Sequence, residues 1–238
     1  MSAAPGVRAL VFDVFGTVVD WRTSVIRELE TFGRERGIAA DWTALGDAWR
    51  AGYQPAMDRV RTGEIGWAAL DDLHRQTLEW LLPRFGMTGL SEADKDHLNR
   101  AWHRLDPWPD AVAGLTRLKR QYVIGTLSNG NVALLLNMAK RAGLPWDMIF
   151  SAELVRHYEP APETYLSVPR LLRIEPGEVM LVAAHNNDLV AAAREGLKTG
   201  FVARPTEYGP RQTRDLEAEH RFDVVARDFV HLAELMDT

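Results

Sequence analysis

Cysteine is absent from the 238 residues of this chain. Without a thiol the protein can form no disulfide and no thiolate metal site, and it has no cysteine nucleophile. The absence also fits a reducing compartment, and we take the cytoplasm as the predicted location.

Long apolar segments and an excess of positive charge are absent as well. No segment approaches the roughly 20 apolar residues that span a bilayer, and Asp13 interrupts the only apolar run near the N-terminus. Lys and Arg number 28 against 33 Asp and Glu, a net charge of -5. Because affinity for nucleic acid comes from neutralising phosphates, this balance argues against a nucleic-acid partner. We predict a soluble protein that binds neither nucleic acid nor a membrane.

Short apolar segments recur along the chain and predict a parallel sheet buried on both faces. Strands are predicted at Val7–Phe15, Tyr122–Ser128, Val179–Ala184 and Gly200–Ala203, with a weaker one at Met148–Ser151 and an edge strand at Asp223–Ala226. Helical patterns lie between them, and Val132–Ala142 and Asp188–Glu195 are each followed by glycine, the usual residue after a helix. This alternation predicts an α/β fold with a doubly wound, Rossmann-like parallel sheet.

Residues 20–106 break the alternation, because they show helical periodicity without a clear strand. The Asp106-Pro107-Trp108-Pro109 segment ends this region, since proline cannot continue a helix. We therefore predict a core formed by residues 1–19 and 107–238, with residues 20–106 inserted after the first strand as a helical cap. Burial of aromatic side chains predicts that most tryptophans of the insertion form its core, with Trp67 the candidate to face a substrate.

Polar side chains follow three of the predicted strands. Ligands of parallel sheets bind beyond the carboxyl ends of the strands, so these residues should share one crevice. The segments concerned are Asp13–Thr17, Thr126–Asn131 and His185–Asp188. A single Asp at a strand end is more often a turn or cap residue. The convergence of three such ends is what favours an active site.

Four segments carry a resemblance to a known family. They are FDVFGTVVDW (Phe12–Trp21), LSNGN (Leu127–Asn131), PAPETY (Pro160–Tyr165) and VAAHNNDL (Val182–Leu189). In this order, and with a helical insertion between the first two, they resemble the haloacid dehalogenase superfamily and, within it, the type II (L-2-)haloacid dehalogenases. The resemblance runs nearly end to end. The AAHNND form is similar to a branch that includes defluorinating members acting on fluoroacetate.

The resemblance implies hydrolytic dehalogenation of short 2-haloacids such as haloacetates, with halide as a product and no cofactor. Asp13 would attack the carbon that bears the halogen, and water would hydrolyse the resulting aspartyl ester. It also implies a set of supporting residues: Thr17, Ser128 and Asn129 to hold the nucleophile and the substrate carboxylate, Arg50 to draw off the halide, Asp188 to support hydrolysis, and Tyr165, His185 and Asn186 as pocket positions. His185 stands where other type II enzymes have Asn, and Arg50 by residue type alone would be a surface arginine.

Phe15, two residues after the nucleophile, separates this chain from the phosphatases of the superfamily. Those enzymes have an Asp there, which protonates a leaving alcohol, and they use Mg²⁺. A halide leaves as an anion and needs no proton, so an apolar residue suits dehalogenation. We predict no metal, because His185 and Asp188 alone are too few ligands for a metal site.

Glu159 departs from the family pattern. Members have a Tyr-Lys-Pro tripeptide whose lysine keeps the nucleophile ionised, whereas this chain has Glu in the middle position. Like charges at close range raise the pKa of at least one carboxyl group, which would weaken Asp13. One interpretation is therefore impaired catalysis, from an inactivating substitution. Another is that Glu159 points to solvent while Arg156, Lys140 or His157 supplies the missing charge.

Two other functions remain open at this stage. One is a catalytically silent relative that binds a small carboxylate or a protein partner, which Glu159 motivates. The other is a phosphatase, which Phe15 disfavours. The resemblance and the apolar composition are also compatible with a homodimer, although no segment identifies an interface.

Overall fold

The computed structural model describes residues 3–238 and folds them around a six-stranded sheet. The strands in chain order are β1 (Ala9–Phe12), β2 (Val19–Asp20), β3 (Asp106–Pro107), β4 (Val123–Ser128), β5 (Met148–Ser151), β6 (Val179–Ala183), β7 (Lys198–Val202) and β8 (Val224–Ala226). The sheet has the order β5-β4-β1-β6-β7-β8, and every neighbouring pair is parallel. The predicted α/β fold class is confirmed.

Helices account for much of the remaining chain. They are α1 (Trp21–Arg36), α2 (Trp42–Ala51), α3 (Tyr53–Arg61), α4 (Leu70–Leu81), α5 (Glu92–Asn99), α6 (Ala111–Leu118), α7 (Val132–Ala142), α8 (Pro162–Leu172), α9 (Asn186–Arg194) and α10 (Phe229–Leu235). The first five lie between β2 and β3 and form what we call the helical insertion. The antiparallel pairing of β2 with β3 brings together the two points where the chain enters and leaves it. The predicted domain boundaries stay a prediction.

Strand β1 shows why this sheet is buried on both faces. Leu10 and Phe12 pack into a core that continues into the helical insertion, whereas Ala9 and Val11 pack into a second core on the other face. Successive side chains of a strand point to opposite faces, so both sets must be apolar. Each of these four residues is at most 1% exposed to solvent.

The predicted first strand was too long. It spans only Ala9–Phe12, because the chain turns after Asp13 and buries Val14 and Phe15 within that turn. An apolar run cannot distinguish a buried strand from a buried turn. Helix α7 has the predicted bounds and ends at Gly143 with φ 68°, whereas α9 begins two residues before its predicted start, at Asn186.

The register of the sheet fixes where the chemistry lies. Phe12, the last residue of β1, is opposite Thr126 on β4 and Val182 on β6. The segments that follow these three strands therefore meet at one edge of the sheet. Within residues 3–238, no helix is long and apolar enough to cross a bilayer.

Candidate active site

Asp13 follows the central strand β1 directly and is almost fully buried. Its backbone N–H donates to the carbonyl of Val182 over 3.1 Å, which extends the pairing with β6 by one residue. Its Oδ2 accepts a hydrogen bond of 2.7 Å from the Thr17 hydroxyl and lies 2.9 Å from Nδ1 of His185. Across residues 3–238, Oδ1 receives no such bond. One oxygen of Asp13 is therefore held in place while the other is left available for attack.

The turn after Asp13 gives Thr17 its place. Gly16 has φ +92°, a conformation that L side chains rarely adopt, and its N–H donates to the carbonyl of Val19. This turn places the Thr17 hydroxyl next to the carboxylate of Asp13. The same hydroxyl oxygen accepts a hydrogen bond from the backbone N–H of Ala184 over 2.8 Å. One hydroxyl thus ties the carboxylate of Asp13 to the carboxyl end of β6.

A cavity of about 760 Å³ lies at this sheet edge, and the helical insertion forms its other wall. The predicted site residues that line it are Asp13, Phe15, Arg50, Asn129, Glu159, Tyr165, His185 and Asp188. Trp21, Tyr53, Arg61 and Tyr208 also line it and were not predicted. The volume is that of an ordinary small-molecule site.

Arg50 brings a cation from helix α2 to the cavity. Its guanidinium lies 4.1 Å from the ring centre of Tyr53 and 5.3 Å from that of Trp21. Burial opposes its charge, but the nearby Tyr53, Tyr208, Glu207 and Asp13 outweigh that effect and raise the pKa of Arg50. Its Nη1 is buried and has no hydrogen-bond partner among the described residues. An unpaired donor on a buried cation suits an anion.

Three carboxylates that line the cavity, including that of Asp13, lie close together. Asp13, Glu159 and Asp188 each present an oxygen within 4.8 Å of the others. Glu159 is anchored by Asn129, whose Nδ2 donates to Oε2 over 2.9 Å and whose Oδ1 accepts from the Glu159 backbone N–H over 2.8 Å. The Tyr165 hydroxyl donates to Oδ1 of Asp188 over 2.7 Å. The remaining oxygens, Oε1 of Glu159 and Oδ2 of Asp188, are buried and unpaired among the described residues.

Crowding of these carboxylates changes their titration. Burial, together with the charges of Asp188 and Asp13, raises the pKa of Glu159 well above its ordinary value. Burial and the charge of Asp13 likewise raise the pKa of Asp188, to about 7. Near neutral pH the cluster therefore holds protons that isolated carboxylates would have lost.

The interpretation in which Glu159 points to solvent is wrong. The residue is partly exposed, but its carboxylate faces Asp13 and Asp188 from the inside of the cavity wall. The cations suggested to compensate for it, Arg156, Lys140 and His157, are all exposed and do not line the cavity. A lysine at this position would neutralise two carboxylates, whereas Glu adds a third.

His185 is the basic side chain that Asp13 contacts. Its Nδ1 lies 2.9 Å from Asp13 Oδ2, and its Nε2 lies 2.9 Å from Oε2 of Glu207. Burial disfavours the imidazolium, but Glu207 and Asp13 outweigh burial and raise the pKa of His185 well above its ordinary value. Burial favours the neutral form of Glu207, yet His185 and Arg50, with hydrogen bonds from His185 and Trp21, lower the pKa of Glu207.

Glu207 is the functional candidate that sequence reasoning missed. It is 1% exposed and lies in the loop after β7, at the same sheet edge as the other site residues. Ligands bind beyond the carboxyl ends of strands, which includes this loop, but Glu207 does not follow β7 directly and belongs to no recognisable motif.

A family model for haloacid dehalogenase-like hydrolases matches residues 7–196. This chain belongs to that family. It is 30% identical over 208 residues to (S)-2-haloacid dehalogenase 1 of Pseudomonas sp. (strain CBS-3), a match that covers 85% of this chain and 88% of the relative. The crystal structure of the defluorinating L-2-haloacid dehalogenase Rha0230 matches with a TM-score of 0.96 and 46% identity, covering 99% of this chain and 98% of that one. The L-2-haloacid dehalogenase PA0810 matches with a TM-score of 0.95 and 52% identity, covering 97% and 99%.

Four residues predicted for the site, Thr17, Ser128, Trp67 and Asn186, do not line the cavity of this hydrolase. Trp67 does not face it; its ring lies 4.7 Å from that of Tyr158, and both line a separate pocket. Asn186 is buried, and its Nδ2 donates to Asp215 and to the carbonyl of Glu217, so it fixes a loop. These two positions correct the predicted pocket, because residue type and motif do not show the direction of a side chain.

Ser128 and Thr17 sit behind the cavity wall. Ser128 is fully buried, and its hydroxyl oxygen accepts from the backbone N–H of Gly130 over 3.4 Å. Thr17 touches Asp13 directly, as described above. Both therefore support the site from behind, and a direct contact with substrate is not what their positions favour.

The three carboxylates are also the residues that could hold a metal. Oxygen ligands at this separation suit a hard divalent cation such as Mg²⁺. His185, however, directs a positive charge at one of the three, which opposes a second cation there. The predicted absence of a metal stays a prediction.

Proposed function

We propose that this chain hydrolyses short 2-haloacids through an ester on Asp13, and that Glu159 weakens this activity. The observation that carries the proposal is the asymmetry of Asp13. Thr17 and His185 bind Oδ2, and Oδ1 is left facing a cavity that also presents a buried cation with an unpaired donor, Arg50. A nucleophile and an anion acceptor around one cavity are what displacement of halide requires.

In the first step, Oδ1 of Asp13 attacks the carbon that bears the halogen. The carbon–halogen bond breaks, and the halide leaves with the bonding electrons toward Arg50. Phe15 lines the cavity and offers no proton, which a departing halide does not need. The same feature counts against a phosphatase, whose leaving alcohol does need one.

In the second step, water attacks Cγ of Asp13 and releases the 2-hydroxyacid. Asp188 is the group placed to take a proton from this water, because it lies beside Asp13 and its Oδ2 is unpaired. A pKa of Asp188 raised to about 7 suits a base that acts near neutral pH.

Glu159 favours a second candidate, a relative that binds a small carboxylate without turning it over. A third carboxylate beside Asp13 stabilises a protonated, unreactive form of the cluster. An ionised Glu159 would also repel the substrate carboxylate. Use of fluoroacetate, a cytoplasmic location and a homodimer all stay predictions.

Halide release tests both candidates. Fluoroacetate, chloroacetate and both 2-chloropropionate enantiomers would be given to the parent chain, to Glu159→Lys, to its uncharged counterpart Glu159→Gln, and to Asp13→Asn. We expect Glu159→Lys to exceed the parent by about 10-fold or more, since a charge-assisted contact is worth roughly 1.5–3 kcal/mol. Glu159→Gln should fall between them, and Asp13→Asn should release no halide.

Each result has a definite meaning. No halide from any haloacid with Glu159→Lys would overturn the dehalogenase proposal. Haloacid binding without turnover in both the parent and Glu159→Lys would support the silent relative. Hydrolysis of p-nitrophenyl phosphate with Mg²⁺ would revive the phosphatase, and equal halide release with Mg²⁺ or with EDTA would support the metal-free proposal.

A further inference from the structure

Asp13 and His185 line the cavity, and Glu207 behind them completes a continuous chain of three titratable groups. The two nitrogens of His185 each lie 2.9 Å from a carboxylate oxygen, one of Asp13 and one of Glu207. A carboxylate oxygen accepts hydrogen bonds and donates none, so each nitrogen must carry a proton for both contacts to be favourable. The geometry therefore favours the imidazolium form of His185, with a proton on each ring nitrogen.

Glu207 is held in place by more than His185. Its Oε1 accepts from the indole N–H of Trp21 over 2.9 Å. Gly16 makes room for it, because a Cβ on that residue would lie 2.1 Å from the same oxygen. Burial of a charged carboxylate costs free energy, which the contacts of Glu207 with Trp21 and His185 offset. Removing His185 would leave the buried charge of Glu207 without its cationic partner.

We propose that His185 donates to the carbonyl oxygen of the Asp13 ester during hydrolysis, and that Glu207 is the positioning residue that keeps His185 doubly protonated for this task. The inference rests on the function proposed above. When Oδ1 carries the substrate carbon, Oδ2 is the ester carbonyl oxygen, and it already faces the Thr17 hydroxyl and Nδ1 of His185. Two donors on that atom stabilise the negative charge that develops there as water attacks.

The step balances in atoms and charge. The oxygen of water forms a bond to Cγ, and its proton goes to Asp188. The Cγ–Oδ1 bond then breaks, Oδ1 leaves with the 2-hydroxyacid, and Asp188 returns the proton to it. The second proton of the water stays on the new carboxyl group of Asp13 and is then released to solvent, which restores the carboxylate. His185 keeps its protons throughout, because Glu207 holds Nε2 from behind. The other charged or titratable groups near it are Tyr208, whose hydroxyl lies 3.5 Å from Nε2, and, farther off, Asp188, Glu159 and Arg50.

The first experiment measures the protonation of His185 without using activity. Imidazole ¹⁵N resonances of the parent chain, assigned through His185→Asn, should show both nitrogens protonated at neutral pH. In Glu207→Gln, which retains an acceptor for Trp21, we expect one nitrogen to lose its proton. A neutral His185 in the parent, or an unchanged imidazolium in Glu207→Gln, would overturn the proposal.

The second experiment measures catalysis in the Glu159→Lys background with chloroacetate. Glu207→Gln should lower kcat about 10- to 100-fold with little change in KM, since removal of one donor at a developing oxyanion costs roughly 100- to 1000-fold. Intact-protein mass spectrometry should show the Asp13 ester accumulating, because hydrolysis slows while attack does not. The exposed Glu30→Gln is the matched control and should leave kcat unchanged.

Non-additivity separates positioning from a general structural effect. In a His185→Asn background, Glu207→Gln should cause little further loss of kcat, because Glu207 acts through His185. An equal loss in both backgrounds would contradict the proposed role. If Glu159→Lys itself releases no halide, the proposed function has failed, and the ¹⁵N measurement still decides whether the charged chain exists.

Discussion

At the scale of single residues, the hydroxyl of Thr17 has two tasks. It donates to Oδ2 of Asp13 and accepts from the buried backbone N–H of Ala184. Thr17→Val preserves the shape and removes both bonds. We expect kcat for chloroacetate in the Glu159→Lys background to fall about 10-fold or more, and the free energy of unfolding to fall by about 1–3 kcal/mol, because a buried donor is left unpaired.

Thr17→Ser is the matched control, since it retains the hydroxyl. Its kcat should stay within a few-fold of the background, and urea denaturation should show a smaller loss than for Thr17→Val. Similar kcat values for the valine and serine variants would show that the hydroxyl does not hold the nucleophile.

Residues that follow a strand directly could be predicted from the sequence. Asp13 and Asn129 come straight after apolar segments, and a parallel sheet brings such positions to one edge. The burial of the Glu159 carboxylate could not be predicted, because it lies in a turn where no periodicity fixes the direction of a side chain. The burial of Glu207 at the site could not be predicted either, because Glu207 lies in a long loop without a motif.

At the scale of elements, helices α6 and α10 are in contact through a glycine. A Cβ on Gly114 would lie 2.5 Å from the backbone carbon of Phe229. Gly114→Ala should therefore force the helices apart and lower the free energy of unfolding by about 1–3 kcal/mol. This loss should outweigh the roughly 1 kcal/mol by which alanine favours a helix over glycine.

Gly66→Ala provides the comparison, because nothing lies within 4 Å of a Cβ there. Urea denaturation should place it within about 0.5 kcal/mol of the parent. A Gly114→Ala variant as stable as the parent would mean that α6 and α10 adjust without strain. The sequence predicted neither this contact nor the helix pair, since a glycine inside a helical pattern has no single interpretation.

Elements with strong local signals were predicted best. Helix α7 has an apolar face and ends at Gly143, whose φ of 68° explains why glycine stands there. The first strand was overextended because Val14 and Phe15 are as apolar as the strand itself. The ring of Phe15 packs against those of Tyr53 and Trp102, contacts between distant parts of the chain that depend on the whole fold.

At the scale of the whole molecule, the cavity joins two parts of the chain that are far apart in sequence. Arg50 comes from the helical insertion, and the carboxylates come from the sheet edge. The periodicity of the insertion predicted helices, but not which helix would carry its cation to Asp13. Only the resemblance to the family predicted that, because the packing of α2 against α1, α3 and α4 involves no local pattern.

The carboxylate cluster should also set the pH dependence of global stability. The folded state raises the pKa of Glu159 well above 4.5, mainly through burial and then Asp188 and Asp13. Above pH 4.5, the folded protein thus holds a proton that the unfolded chain has released. Stability then falls as the pH rises, until the folded-state pKa is passed. Glu159→Gln removes this contribution, whereas Asp188 keeps a pKa that burial and the charge of Asp13 raise to about 7.

We therefore expect Glu159→Gln to be more stable than the parent, by a margin that grows as the pH rises above 4.5. The increase should be roughly 1.4 kcal/mol for each unit by which the fold raises the carboxyl pKa. Urea denaturation at several pH values measures the margin, with Glu30→Gln as an exposed control whose margin should stay flat. Parallel pH curves for the parent and Glu159→Gln would mean that the third carboxylate is not crowded by the other two. The repulsion assigned to Glu159 would then have to be abandoned, together with the expectation that lysine at this position restores halide release.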